Sequence, residues 1–144
     1  MMKNELDAED MLQNSFIDVF RKLDSFKFES AIGAWIKRIV INNCINSLKK
    51  KRLDVQSLED HPVERNNFVS EVEEIPVGLS VEVVNQALYL LPDGYRVVFS
   101  LYMLEGYDHQ EIAEILGVSV ATSKSQYSRA KKKLRELLIK EISQ

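Results

Sequence analysis

A single cysteine, Cys44, in 144 residues leaves nothing for an internal disulfide or a multi-cysteine metal site, and it suits a reducing compartment. Five glycines and three prolines are too few for collagen-like, linker-like or most all-β designs. No apolar run approaches the roughly 20 residues that a membrane-spanning helix needs, so no membrane insertion is expected. The opening Met1-Met2-Lys3-Asn4-Glu5 has no apolar stretch of the secretory kind. The two histidines, His61 and His109, have no motif partner, and H-E-x-x-H, G-x-S-x-G and Gly-rich phosphate loops are missing. No catalytic residue, metal ligand or cofactor site is therefore expected, and Cys44 reads as core packing on an apolar helix face.

What is present is a soluble, globular composition, 45% hydrophobic and 28% charged, with a net charge of −3. An acidic total reads against a nucleic-acid partner, but the charge is unevenly spread. Residues 1–53 carry ten basic and seven acidic side chains, 54–80 carry one and seven, and 81–144 carry eight of each. Two acid-free stretches, 37–52 and 121–135, hold twelve of the nineteen cations. Local charge, not the total, decides whether phosphates can be bound.

The acidic middle lacks helical periodicity and contains His61-Pro62, Asn66-Asn67, Pro76 and Gly78. It reads as a linker, 54–80, between a domain at 1–53 and a domain at 81–144. In the first domain Asp7 is placed to cap a helix running to about Leu23, with Leu12, Phe16, Val19, Phe20 and Leu23 as its apolar stripe. A second helix is expected from about Ser30 to Lys50, buried through Ile32, Ile36, Ile39, Val40, Cys44 and Leu48. Its other stripe, Trp35, Arg38, Asn42, Asn46 and Lys49, is amide-bearing and basic. Asn amides pair with base edges and an indole stacks on an unpaired base; equally, such a stripe serves as a plain polar surface, and Trp35 as a core residue. In the second domain Val81, Val84, Leu88 and Leu91 line one helix, stopped by Pro92. Tyr95, Phe99, Tyr102 and Met103 line the next, and two more helices span about 109–116 and 120–139. The fold class is all-α: two small helical domains joined by an acidic linker.

The strongest motif runs from Asp108 to Ser125 and has the grammar of a helix-turn-helix. Ala113 is small where two helices must cross, Gly117 allows a left-handed turn, Ser119 can cap the second helix, and Ile112 and Val118 fill the wedge. That leaves Thr122, Lys124, Ser125, Gln126, Ser128 and Arg129 in the part of a helix that could enter a major groove. The cations from Arg129 through Lys131, Lys132 and Lys133 to Arg135 would follow the phosphates. The competing reading is an αα-hairpin with a solvated basic face.

Three stretches, in this order, resemble bacterial RNA polymerase sigma factors of the extracytoplasmic-function group. Asp7 to Phe16 is similar to the helix that binds the clamp of core RNA polymerase. Trp35 to Asn42, continuing to Asn46 and Lys49, is similar to the helix that melts and reads the minus-ten element. Leu91-Pro92 to Leu138 is similar to the domain that reads the minus-thirty-five element. The resemblance implies a non-enzymatic, cytoplasmic promoter-specificity subunit whose partners are core RNA polymerase, promoter DNA as duplex and melted strand, and an anti-sigma factor. It assigns Asp10, Gln13 and Asn14 to the polymerase, Asn42 and Asn46 to the melting strand, and Arg38 and Lys49 to its phosphates. Lys124, Ser125, Ser128 and Arg129 fall to the minus-thirty-five bases and backbone. Three departures from the family carry expectations. The family's first helix before the Asp7 segment is missing, which leaves the Leu12–Leu23 stripe short of a packing partner. Ser30 and Ala31 stand where a Gly-Ser pair is common, in a loop that helps capture a flipped base. Ser123 replaces an aliphatic residue, a mild loss of packing. Two other readings remain: a stand-alone helix-turn-helix regulator, and a truncated remnant that binds polymerase without initiating.

Overall fold

In a computed structural model of the chain, residues 1–51 and 79–142 are described, and no strand occurs among them. The chain divides into two units, Met1–Leu53 and Asp54–Gln144. The acidic stretch read as a linker lies outside the described residues apart from Leu79 and Ser80.

The first unit is a helical hairpin. Helix α1 spans Glu5–Lys22 and passes into a 3-10 turn, Leu23–Ser25; helix α2 spans Ile32–Lys50. The cap of α1 is Asn4, not Asp7: its extended backbone lets the side-chain oxygen accept from the Leu6 N–H at 2.8 Å. Asp7 instead sits in the first turn and pairs with Lys51 at 2.8 Å. Helix α2 begins two residues later than the periodicity suggests, without a side-chain cap at Ala31.

The core of this unit comes mostly from α2, through Ile39, Ile41, Cys44, Ile45 and Leu48. Ile32 of the predicted face is exposed, while Ile41 and Ile45, outside that face, are buried. Cys44 is buried among them, and burial pushes its thiol above its ordinary pKa. Helix α1 buries only Ser15 and Val19. Of its apolar stripe only Val19 is buried, and polar Ser15 and Asp18 of α1 bond to α2. The Ser15 hydroxyl donates to the Met11 carbonyl and accepts from the Asn43 amide at 3.2 Å. Asn43 also donates to Asp18 at 2.9 Å, so one amide ties the two helices together. Leu12, Phe16, Phe20 and Leu23 remain exposed.

Among the described residues the second unit has four helices: α3 (Val81–Leu90), α4 (Asp93–Phe99), α5 (His109–Leu116) and α6 (Val120–Ile142). Ser80 caps α3, and Pro92 separates α3 from α4. Ala87, Leu88 and Leu91 pack on Leu134 and Leu138 of α6, with Val83, Val84, Phe99 and Leu137 around them. Val97, Val98, Leu101, Ile112 and Ala130 are fully enclosed. Helix α4 continues as a π-helical turn, Ser100–Leu104. That wider turn shifts the helical phase, which is why Leu101 is buried and Met103, expected inside, is exposed. Arg96 is only 2% exposed. It donates to the Leu91 carbonyl at 2.8 Å and pairs with Asp93, so a buried cation closes the α3–α4 corner.

Candidate nucleic-acid interface

Helix α5 starts with a reciprocal cap. Asp108 accepts from the Gln110 and Glu111 N–H groups at 2.8 Å each, and Glu111 accepts from the Asp108 N–H at 2.9 Å. The helix ends at Gly117, whose φ of 70° is left-handed, as a turn of this type requires. Ser119 then caps α6, accepting from the Thr122 N–H at 3.0 Å. Ile112 and Ala113 are buried where α5 meets α6. The helix-turn-helix grammar is thus realised atom by atom, and a simple αα-hairpin would not need it.

The direction in which α6 points its side chains follows from about 100° per residue. Ser123, Gln126, Ala130, Leu134 and Leu138 are buried and define the inner face. Ala121, Ser125, Ser128 and Lys132 lie directly opposite, flanked by Lys124 and Arg135 on one side and Thr122 and Arg129 on the other. Lys124 and Lys132 are exposed; Thr122, Ser125, Ser128 and Arg129 are half-buried. The Thr122 hydroxyl is engaged with Ser119 at 2.8 Å, and Ser125 donates to the Thr122 carbonyl at 3.0 Å. Lys131 lies over the Tyr127 ring at 4.9 Å, and Lys133 pairs with Glu136 at 3.3 Å. The outer face therefore combines small hydroxyl groups with cations, the chemistry that reads base edges and holds phosphates.

Gln126 does not belong to this face. It is 1% exposed, on the inner side of α6, and neither atom of its amide has a hydrogen-bond partner among the described residues. Its place among polar residues in the sequence concealed a helical phase shared with Ala130 and Leu134.

Ser123 is also fully buried, and its hydroxyl lies 2.9 Å from His109 Nδ1. The expected loss of packing is answered by a hydrogen bond that joins the start of α5 to α6. The His109 ring stacks on Tyr102 at 4.6 Å and meets the edge of Tyr127 at 5.6 Å. Burial, then the nearby Lys124 charge, hold the imidazole below its ordinary pKa, with Asp108 opposing them. Sequence reasoning found no partner for His109, because its partner lies fourteen residues away on another helix.

In the first unit Asn42, Asn46 and Lys49 are exposed along one stripe of α2, with Arg38 half-buried on the same stripe. Trp35 begins that stripe but is half-buried, its ring 5.1 Å from buried Phe26. It is thus partly core and partly surface. Asp10, Gln13 and Asn14 are exposed on α1. Among the described residues no group of His, Cys, Asp and Glu could hold a metal ion, and no helix is long and apolar enough to cross a membrane.

Residues 1–53 match the family model for sigma-70 region 2, and residues 82–134 match that for sigma-70, region 4. The ECF RNA polymerase sigma factor SigM of Mycobacterium tuberculosis is 31% identical over 134 residues, which are 92% of this chain and 64% of that relative. The chain thus spans less than two thirds of the length of SigM. The ECF RNA polymerase sigma-E factor of Salmonella typhimurium is 31% identical over 135 residues, 87% of this chain and 70% of the relative. Among solved structures, the sigma factor RpoE from Bartonella quintana, crystallised with the anti-sigma factor NepR, is similar with a TM-score of 0.64 and 28% identity. The match covers 95% of this chain and 84% of that one. With both regions matched in order, each carrying the helix stripe described above, the chain belongs to the ECF group of RNA polymerase sigma factors.

Proposed function

We propose that this chain binds core RNA polymerase and directs it to specific promoters, acting in the cytoplasm and without catalytic chemistry of its own. The observation that carries this reading is the repeated arrangement in both units: a helix with amides or hydroxyls and cations on the face turned away from its own core. Domain 1–53 meets the polymerase through Asp10, Gln13 and Asn14 on α1. The same domain holds the melted minus-ten strand through Asn42 and Asn46, with Arg38 and Lys49 on phosphates. Domain 81–144 reads the minus-thirty-five duplex through Ser125, Ser128, Lys124 and Arg129, with Lys132 following the backbone and Thr122 at the helix start. The acidic stretch 54–80 joins them. An anti-sigma factor fits the same reading, by analogy with the partner seen on RpoE.

The test is reconstitution. The purified chain is mixed with core polymerase, and transcripts are mapped on a library of genomic fragments. Discrete start sites with a shared pair of upstream elements are expected. Binding to duplex DNA without polymerase would favour a stand-alone regulator; polymerase binding without any start site would favour a non-initiating remnant.

A further inference from the structure

Helix α1 turns a large apolar face to solvent. Leu6 and Phe20 are 70% and 74% exposed, and Leu12, Phe16, Ile17 and Leu23 lie between 43% and 48%. At about 100° per residue these six fall within a sector of about 140°. That sector is turned away from Ser15 and Asp18, which bond to α2. A contiguous apolar face of this kind is uncommon on a monomer and marks a surface that meets another protein. Two exposed polar side chains, Glu9 and Gln13, lie within it.

The charges along α1 say what fits that face. Its first six residues, Glu5 to Asp10, carry four carboxylates, and its last two are Arg21 and Lys22. Asp10 and Arg21, both exposed, are eleven residues apart, which is about three helical turns. They therefore sit on the same edge of the apolar sector, at opposite ends of the helix. A twofold axis that makes two copies of α1 antiparallel brings like edges together. Asp10 of each copy then meets Arg21 of the other, and Glu9 lies beside the same guanidinium. The midpoint between Asp10 and Arg21 falls between positions 15 and 16, and Phe16 is also at the middle of the apolar stripe. One register thus satisfies both the charges and the apolar contacts. A parallel pairing would instead set Glu9 against Glu9, and like charges face to face oppose association. The face is therefore complementary to itself in one orientation.

We propose that the outer face of α1 is a self-association surface whose occupant is a second copy of this chain, antiparallel across Phe16. Apolar burial supplies the affinity. The Asp10–Arg21 pairs supply the orientation, because exposed ion pairs add little strength but penalise a wrong alignment. The dimer has a consequence that rests on the polymerase reading above. Gln13 lies inside the face and Asp10 on its edge, so core polymerase and a second copy exclude each other. The dimer is then a reserve form that polymerase opens.

The test follows the full chain by sedimentation velocity from about 1 to 100 µM, a span suited to a small, reversible interface. Monomer is expected at the lower end and a single dimeric species at the upper. Phe20→Asp should stay monomeric throughout, with the helix content of wild type, because the ring is exposed in the monomer. Asp10→Arg and Arg21→Asp should each weaken the dimer about tenfold, and the double variant should restore it. A wild type that stays monomeric at the upper end, or that forms larger species without a dimer plateau, overturns the proposal. So does a dimer that survives Phe20→Asp, or a double variant no better than either single one. With core polymerase added, labelled chain should bind as one copy per core. Two copies per core would overturn the exclusion, and with it the polymerase surface assigned to α1, while leaving the dimer intact.

Discussion

The two units use the same kind of surface on very different foundations. In the second unit α6 packs against α3, α4 and α5, Leu91, Val97, Val98, Leu101, Ile112, Leu134 and Leu138 are enclosed, and the buried cation Arg96 of α4 is paired. In the first unit two helices share a thin core: α1 supplies one buried apolar residue, Val19, while Phe20 is 74% exposed. With α6 packed by three other helices, the described part of the second unit encloses a core and presents a firmly supported outer face. A two-helix hairpin has only one inter-helix seam and leaves the rest of its apolar surface uncovered. A partner that binds the folded hairpin adds to its stability. The difference teaches that similar charge patterns do not imply similar autonomy.

The contrast is open to a direct spectroscopic break. Trp35, the single tryptophan, belongs to the first unit, whereas all five tyrosines, Tyr89, Tyr95, Tyr102, Tyr107 and Tyr127, belong to the second. Urea unfolding of the free chain should give two transitions, the tryptophan signal moving at lower denaturant than the tyrosine signal. Leu91→Ala, at a fully buried site, should cost the second unit about 3 kcal/mol. Phe20→Ala, removing a larger side chain, should change the first unit by no more than about 0.5 kcal/mol. Equal costs, or coincident transitions, would remove the contrast.

The next largest effect concerns the buried amide of the second unit. Gln126 places a donor and an acceptor in the interior with no partner among the described residues. Replacing such a group with an apolar one of similar shape recovers its desolvation cost. Gln126→Met should therefore stabilise the second unit by about 1–2 kcal/mol in the tyrosine-monitored transition. Affinity for promoter duplex should stay unchanged, because the amide does not reach the outer face. A destabilised Met variant, or one with weakened duplex binding, would return Gln126 to a polar role.

Much of this was legible in the sequence, and the exceptions share one cause. The positions of α5, Gly117 and Ser119 could be read because their signals are local: a cap, a left-handed turn, another cap. The amide and cation stripe of α2 could be read because period alone defines a helix face. Period does not say which face meets a neighbour, so of the apolar stripe of α1 only Val19 reaches the core, beside Ser15. Nor does it reveal a π turn, which moved Met103 outward and Leu101 inward. Asn43, Arg96 and His109 act through partners on other helices or across a corner, and no spacing rule in one sequence announces them.

The smallest effect tests whether His109 contributes to the autonomy of the second unit. Its folded pKa lies below its ordinary value of about 6.5, chiefly because burial disfavours the imidazolium and secondarily because Lys124 repels it. Above the unfolded pKa both states are neutral and pH has no leverage through this group. As pH falls through that value the unfolded chain takes up the proton first, so the second unit loses stability, and the loss ends once the folded imidazole is also protonated. Carboxylates titrate in the same direction at lower pH, so the informative quantity is the difference between wild type and His109→Gln. The tyrosine-monitored urea midpoint of wild type should fall more steeply than that of the variant between pH 7.5 and 5.5. Ser123→Ala should cost about 1 kcal/mol at pH 7.5, the worth of the hydroxyl–imidazole bond. Parallel pH slopes for wild type and His109→Gln would mean that the imidazole is solvated. The α5–α6 junction would then rest on the buried apolar residues Ile112, Ala113 and Leu116.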